Sequence, residues 1–481
     1  MNILFIYSLQ DIQSILKPLR NFEQIQLGIS YISSLLKKHG HVTKLLVLTR
    51  ETKNEKIDKY ILEFKPDVVC FTIIFSEYKF IYGIAEYIKK RYPGIYLLAG
   101  GSHVTLNPEE CVTADFDAIC IGEGEFPALE LVEKLKNGIL PSKIQNLWIK
   151  YNGLVEKNPP RPFLEDLNSL PFPDRKMWEP WIADLEGSNS VLLGRGCPFQ
   201  CAYCCNHALK RIAAGEYVRL RSVNNIIDEL RSIAADNPAI KKIYFEIETI
   251  AVNRNFALEL SDRLKQLNEA MGKRLTFGTN IRITPDINLE DIFISFRSCG
   301  FKFINIGVES GSEKVRTQIL KRNYSNDDII RTVDLARKYS LQVCFYNLMG
   351  IPGETLMDFK ETIKINCRCL PENYYLSIYF PYPGTDLYSL CVKNGLINAS
   401  IDTKMERSKA VLDLPQFSAR QIHHNYIWFD YNVYKGHKPL YKILAKVALA
   451  KIKTDYRLTR FYRTLTNFKI FKDVKDLVSR N

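Results

Sequence analysis

The chain has 481 residues, 46% hydrophobic and 25% charged, which excludes a disordered, collagen-like or disulfide-dense secreted protein and allows three ordinary domains at most. No apolar run approaches the ~20 residues that span a bilayer. The opening Met1–Tyr7 is too short for a signal peptide and has no basic lead, so a cytoplasmic protein is expected.

Residues 1–140 alternate strand and helix patterns. Strands are predicted at Ile3–Tyr7, Val42–Leu48, Val68–Ile74, Ile95–Ala99 and Ala118–Ile121, with helices over 24–38, up to 64, over 78–91 and over 125–140. Such alternation implies right-handed crossovers and a parallel sheet covered on both faces, a doubly wound, Rossmann-like domain. Ligands of these sheets lie beyond the carboxyl ends of the strands. Those ends carry Thr72 and Ser76, then Gly100, Gly101, Ser102 and His103, then Gly122, Glu123 and Gly124. Glycine lets backbone approach a ligand, and hydroxyls and amides supply hydrogen bonds, so a large ligand is expected there. No Gly-x-Gly-x-x-Gly follows the first strand, which argues against a dinucleotide.

Residues 141–187 are crowded with prolines (Pro159, Pro160, Pro162, Pro171, Pro173, Pro180) and read as an extended connector. A second α/β run over 188–390 has strand patterns at Ser190–Leu193, Lys242–Ile247, Leu275–Thr279, Phe303–Val308, Gln342–Leu348 and Leu376–Phe380. Six strand–helix units predict a partial (β/α)6 TIM-like barrel, with active residues at the C-terminal ends of its strands. Residues 391–481 form a basic helical C-terminal region. From 431 to 481 there are thirteen Lys/Arg against three Asp, so most of the net charge of +13 lies there.

Eight of the twelve cysteines are scattered (Cys70, Cys111, Cys120, Cys299, Cys344, Cys367, Cys369, Cys391) and read mostly as small buried hydrophobes. Cys197, Cys201, Cys204 and Cys205 form a cluster directly after the first barrel strand. Thiolates at that spacing can hold a [4Fe–4S] cube, and three ligands for four irons leave one iron open to chemistry. Zinc is the competing reading, with Cys205 as fourth ligand. Adjacent cysteines suit one tetrahedral ion poorly, and no second Cys-x-x-Cys pair completes a ribbon.

Cys197-Pro-Phe-Gln-Cys201-Ala-Tyr203-Cys204 resembles the cluster motif of the radical S-adenosylmethionine (SAM) superfamily. Ile306-Gly-Val-Glu309-Ser310-Gly311 with Ile319–Arg322, Gly350–Thr355 and Pro381–Thr385 are similar to later loops of that family. The N-terminal domain, through Ala99–His103 and Ile121–Glu125, resembles the cobalamin-binding domain of one large subfamily. The resemblance implies that Cys197, Cys201 and Cys204 bind the cluster and that its open iron chelates SAM. Reductive cleavage would then give a 5′-deoxyadenosyl radical that abstracts hydrogen from an unactivated carbon. It implies SAM contacts from Glu246 or Glu248 (ammonium), Asn280 and Arg282 (carboxylate or ribose), Glu309 and Ser310 (ribose hydroxyls) and Tyr203 (adenine). Many relatives show paired Asp where this chain reads Glu246-Ile-Glu248, which leaves open which glutamate works. Cobalamin contacts are expected from the strand-end residues named above, His103 included. No Asp-x-His-x-x-Gly occurs in residues 1–140, so the corrin is expected to bind without a lower histidine ligand.

The leading reading is therefore a cobalamin-dependent radical SAM enzyme that methylates an unactivated carbon. An oxidative cyclase or rearrangement enzyme with the same cofactors is the alternative. A tRNA methylthiotransferase would need three further N-terminal cluster cysteines, and Cys70, Cys111 and Cys120 are wrongly placed for that. The expected partners are a small-molecule, lipid or peptide substrate and a flavodoxin- or ferredoxin-type reductase, not nucleic acid. The pattern Leu440, Ile443, Leu444, Val447, Ile452 predicts an apolar helix stripe among lysines, which packs on the barrel or meets an anionic membrane.

Overall fold

Four consecutive apolar residues, Ile3–Ile6, are all buried, as they must be in a strand covered on both faces. They form the middle of β1 (Asn2–Leu9) in a computed structural model that describes residues 1–459, apart from 11, 13, 15, 273, 398–400 and 456. The chain divides into two compact units, Met1–Phe199 with Cys204–Ile240, and Gln200–Tyr203 with the residues from Lys241 onward.

In the first unit β1 is joined by β2 (Val42–Thr49), β3 (Val68–Thr72), β4 (Tyr96–Gly100), β5 (Ala118–Cys120), β6 (Leu147–Tyr151) and β7 (Leu154–Lys157), in the order β2-β1-β3-β4-β5-β6-β7. The strands β1 to β5 are parallel, in register from Asn2 opposite Val42 to Leu9 opposite Thr49 at the first pair. Strand order reverses between β1 and β3, so the ligand crevice of a doubly wound sheet falls at their carboxyl ends. The helices Leu27–Lys38, Asn54–Phe64, Tyr78–Arg91 and Glu125–Lys136 cover the faces. The last is shorter than expected and stops before Gly138, whose φ of +67° suits a turn. The proline-rich stretch differs more from the expected connector. Its first part, β6 and β7, forms an antiparallel hairpin on the sheet edge. Residues 141–146 and 158–187 are irregular, the latter with 3-10 turns at Leu167–Ser169 and Lys176–Trp181.

Strand β8 (Ser188–Leu192) also lies in this unit, followed by a two-residue antiparallel ladder, β9 (Gly194–Arg195) against β10 (Arg219–Leu220). The second unit holds β11 (Lys242–Glu246), β12 (Thr276–Ile281), β13 (Phe301–Glu309), β14 (Gln342–Met349) and β15 (Asn373–Ile378), parallel and paired in sequence order. Helices Arg254–Ala270, Glu290–Cys299, Asn326–Lys338 and Leu356–Cys369 connect them. The last two begin at capping boxes, Ser325 with Asp328 and Thr355 with Asp358.

Helices Ala419–Tyr434 and Leu440–Lys453 belong to the core of this second unit. Phe429, Val433, Ile443 and Val447 are buried in one cluster with Phe359 and Ile378. The expected stripe is split: Ile443 and Val447 pack inward, whereas Leu440 and Leu444 are exposed. The remainder of the basic tail, residues 460–481, lies outside the described residues.

Candidate active site

The cysteine loop starts at a backbone that only glycine can occupy. Gly196 has φ +87°, and a Cβ there would lie 2.1 Å from the Tyr217 carbonyl oxygen. A Cβ on Gly194 would lie 2.4 Å from the Arg219 carbonyl. The strand before Cys197 is thus pressed against 217–220 and enters the loop by one route. Cys201 is buried, and Cys197, Cys204 and Cys205 are half-buried, all without disulfides. Arg282 Nη1 donates to Cys201 Sγ at 2.8 Å, and Asn206 Nδ2 to Cys204 Sγ at 3.7 Å. Among the described residues no three His, Cys, Asp or Glu side chains converge as for a single metal ion. The ligands of a cube stand further apart, each on its own iron. Three soft thiolates with a cationic N–H donor on one of them suit an iron–sulfur cube.

The scattered cysteines offer nothing comparable. All but Cys367 are buried. Burial pushes Cys70, Cys120, Cys344 and Cys369 up to about 12, so these thiols stay protonated and inert.

In the second unit the predicted SAM residues gather at strand C-termini. Glu246 ends β11, and Asn280 and Arg282 lie at the end of β12. Asn280 is committed to the barrel mouth: its Oδ1 accepts from Tyr244 (2.6 Å) and Asn305 (3.3 Å), and its Nδ2 donates to the Ile247 carbonyl (3.0 Å). Glu246 is half-buried beside Tyr244, whereas Glu248 is exposed on the following loop. Glu309 ends β13 at a register shift, with φ +62°. Ser310 is fully buried, where its hydroxyl meets Thr362 and accepts from the Ser312 N–H at 3.2 Å.

Tyr203 is held by a network whose hub sequence reasoning did not single out. Arg322 Nη1 donates to the Tyr203 hydroxyl (2.8 Å) and to Glu309 Oε1 (3.0 Å), Nη2 to the Gly307 carbonyl (2.8 Å), and Nε to the Tyr324 hydroxyl (3.1 Å). Burial opposes the Arg322 charge, but Tyr203, Tyr324 and Glu309 outweigh it and keep the guanidinium protonated. Burial in turn holds Tyr203 as the neutral phenol. Tyr203 therefore serves as a bolt on the loop between two cysteines.

In the first unit the glycine loops are tightly built. Gly101 has φ +104°, and a Cβ there would meet Ile73 N and O at 2.7 Å. That contact lets the β4 loop lie on the end of β3, where Thr72 is half-buried and Ser76 buried. The Ser76 carbonyl accepts from Gln10 (2.9 Å) and Arg50 (3.0 Å), which bridges the ends of β1, β2 and β3. Among the described residues Ser76 Oγ and Glu77 Oε2 are buried without a hydrogen-bond partner, as polar atoms awaiting a ligand would be.

His103 is 2% exposed, packed on Tyr78 and Phe75 at 4.7 and 5.4 Å between centroids, and burial lowers it to about 4. Its Nε2 is also buried without a hydrogen-bond partner among the described residues. The Glu123 carboxylate is engaged within the protein, because it accepts from Arg195 (2.8 Å), Arg219 (3.0 Å) and the Leu164 N–H (2.8 Å). Burial alone would raise it, but Arg195, Arg219 and that N–H hold it below the usual carboxylate range. Gly122, φ +91°, donates to Thr105 Oγ1, and Gly124 lies against Ile32. Ser102 opens the short helix Ser102–Leu106 after Gly100 and Gly101. A cavity of about 460 Å³ opens beside this loop, between Phe126, Asn146 and Arg161.

Residues 191–365 match the radical SAM superfamily and residues 20–132 the B12 binding domain. These matches give the chain a B12-binding domain ahead of a radical SAM domain. It is 29% identical to an uncharacterized methyltransferase of Pyrococcus horikoshii over 402 residues, 82% of this chain and 84% of that one. It is 24% identical over 373 residues to the hopanoid C-3 methylase of Methylococcus capsulatus, 75% of this chain and 67% of that one. Its fold is also that of the cobalamin-dependent SAM radical enzyme OxsB, solved with aqua-cobalamin and SAM bound. That match has a TM-score of 0.68 at 16% identity, over 97% of this chain and 75% of that one.

Proposed function

We propose that this protein is a cobalamin-dependent radical SAM methyltransferase that acts on an unactivated carbon. The observation that carries the reading is a Cys197/Cys201/Cys204 loop, held by arginines, in a chain with a B12-binding domain. When bound, the cluster and SAM supply a carbon-centred radical and cobalamin supplies the methyl group. Cys197, Cys201 and Cys204 hold the cluster, and Cys205 does not. Arg282, on Cys201 Sγ, is placed to neutralise the SAM carboxylate beside the open iron, and half-buried Glu246 to accept from its ammonium. Arg322 fixes Tyr203 and Glu309 so that the carboxylate can meet a ribose. Thr72, Ser76, Gly100, Gly101, Ser102, Gly122 and Gly124 line the corrin site. With no Asp-x-His-x-x-Gly in residues 1–140, the corrin would bind without a lower histidine ligand.

The methylase relatives support methyl transfer over cyclisation. A flavodoxin- or ferredoxin-type reductase supplies electrons, and the substrate is a small molecule, lipid or peptide. Among the described residues no helix is long and apolar enough to cross a membrane. The reading places the enzyme in the cytoplasm, with the helix Leu440–Lys453 packed on its own unit through Ile443 and Val447 and a peripheral membrane contact of the basic region as the alternative. The test is anaerobic reconstitution with SAM and methylcobalamin against candidate lipids, peptides and antibiotic precursors. A mass gain of one methylene unit supports methyl transfer; loss of hydrogen alone supports the cyclase.

A further inference from the structure

The strongest charge cluster outside the SAM residues lies within the first unit, on the strand that delivers the first cysteine. Arg195, two residues before Cys197, donates through Nη1 to Glu123 (2.8 Å) and through Nη2 to Glu125 (2.5 Å). Its guanidinium lies over the Tyr31 ring, 5.5 Å from the centroid. Arg219, directly opposite Arg195 in the β9–β10 ladder, takes the other Glu123 oxygen at 3.0 Å and the Leu164 carbonyl at 2.8 Å. Glu123 and Glu125 belong to the strand-end loop of the B12-binding domain. Beyond the cysteines, Ile212 would lie 3.4 Å from a Cβ on Gly122 of the same loop. The corrin-side loop is therefore gripped from both flanks of the cysteine segment.

Charge-assisted bidentate bonds fix angle as well as distance, and buried bistable contacts pass small shifts on rather than absorbing them. Gly196 separates Arg195 from Cys197 by one constrained residue, so the loop cannot move without moving the first ligand. Resting on the two-cofactor reading, we propose that Arg195 is a positioning residue that couples the cobalamin loop to the cluster loop through Glu123 and Glu125. Cobalamin and the cluster then sense each other's presence, and by linkage the effect is reciprocal.

The test uses the full chain, reconstituted anaerobically, and measures hydroxocobalamin affinity with and without the cluster and the electron paramagnetic resonance (EPR) spectrum of the reduced cluster with and without hydroxocobalamin. In the natural protein the cluster should change cobalamin affinity by roughly fivefold or more, and cobalamin should alter the cluster spectrum. Arg195→Lys and Glu123→Gln should each abolish both effects while retaining iron. The double variant should be no worse than either single one, because the residues act as a unit. Glu123→Gln keeps the shape of the site and carries the test if Arg195→Lys does not fold.

The control is Lys89→Gln. Lys89 pairs with Asp117 at 2.7 Å in the same unit, at the amino end of β5, whereas Glu123 and Glu125 follow its carboxyl end. That variant should lower the melting temperature and leave the coupling intact. Coupling that survives in Glu123→Gln, or is lost equally in Lys89→Gln, overturns the proposal, as does a natural protein that binds both groups with no mutual effect. A chain that binds neither group overturns the functional reading itself.

Discussion

The two units prepare their strand ends in opposite ways. In the first, space is made by leaving side chains out: Gly101 and Gly122 lie at positive φ, and buried Ser76 and Glu77 keep unsatisfied atoms. In the second, the strand ends are filled by charge, with fully buried Arg316 on the Ser310 carbonyl and Arg322 on Tyr203, Glu309 and Gly307. The contrast suits the two ligands. A corrin is broad and needs backbone approach, whereas SAM is small, charged and needs fixed counter-charges. Yet each unit commits arginines to its own part of the cysteine segment, Arg195 in the first and Arg282 and Arg322 in the second.

The largest expected effect removes what both sets of arginines serve. Replacing Cys197, Cys201 or Cys204 by Ala should abolish the visible iron–sulfur absorption and 5′-deoxyadenosine formation, while Cys205→Ala should retain both. A full cluster in Cys201→Ala would contradict the assignment.

Next comes the second unit's hub. Arg322→Met leaves half-buried Glu309 without its cation and the buried network around it without its hub, and should cost roughly 3–5 kcal/mol in denaturant unfolding. Gly101→Ala probes the first unit's opposite strategy. It forces a Cβ to 2.7 Å from Ile73 backbone at φ +104°. It should cost about 1–3 kcal/mol and weaken hydroxocobalamin binding while sparing the iron content. If Gly101→Ala lowers iron content as much as cobalamin affinity, the two strategies are not separate.

One buried group in each unit titrates in the opposite sense to the other. His103 in the first is lowered from 6.5 to about 4 by burial, so its contribution is present above pH 6.5 and lost as pH falls through 4. Glu354 in the second, accepting from the Gly350 and Ile351 N–H groups, is raised by burial from 4.5 to about 8. Its contribution is present below pH 4.5 and lost as pH rises through 8. Of these two, Glu354 alone acts between pH 6.5 and 8, and the natural protein should lose about 2 kcal/mol there that Glu354→Gln does not. Equal slopes in the two proteins would remove the claim.

The smallest effect concerns the tail. Leu440, Tyr441 and Leu444 are exposed on a helix that has lysines and no acidic residue. Co-sedimentation with phosphatidylglycerol vesicles at low salt should weaken a fewfold in Leu444→Glu, at about 1 kcal/mol per altered surface group. Unchanged sedimentation would detach the tail from any membrane role.

Much of this was legible in the sequence because it rests on local pattern. The run Ile3–Ile6 and the Cys-x-x-x-Cys-x-x-Cys spacing each lie within a few residues. The β6–β7 hairpin was hidden because Leu154–Lys157 is exposed throughout and shows no alternation, and the nearby prolines suggested an irregular connector. The clamps were hidden by separation. Arg195 meets Glu123 across 72 positions, and Arg322 meets Tyr203 across 119. The sign that was available was chemical: Glu123-Gly-Glu125 at a strand end must find cations if buried, as must Arg195 and Arg322 find anions. For the same reason the hold of Arg195 and Arg219 on Glu123 could not be read from the sequence.

The central claim is that the cysteine loop carries a SAM-cleaving cluster. Its most direct test is anaerobic reconstitution followed by analysis of iron, sulfide and zinc, with SAM and a reductant added and 5′-deoxyadenosine measured. The account predicts about four iron and four sulfide per chain and reductant-dependent 5′-deoxyadenosine. Stoichiometric zinc, or a full cluster that leaves SAM intact, would contradict it.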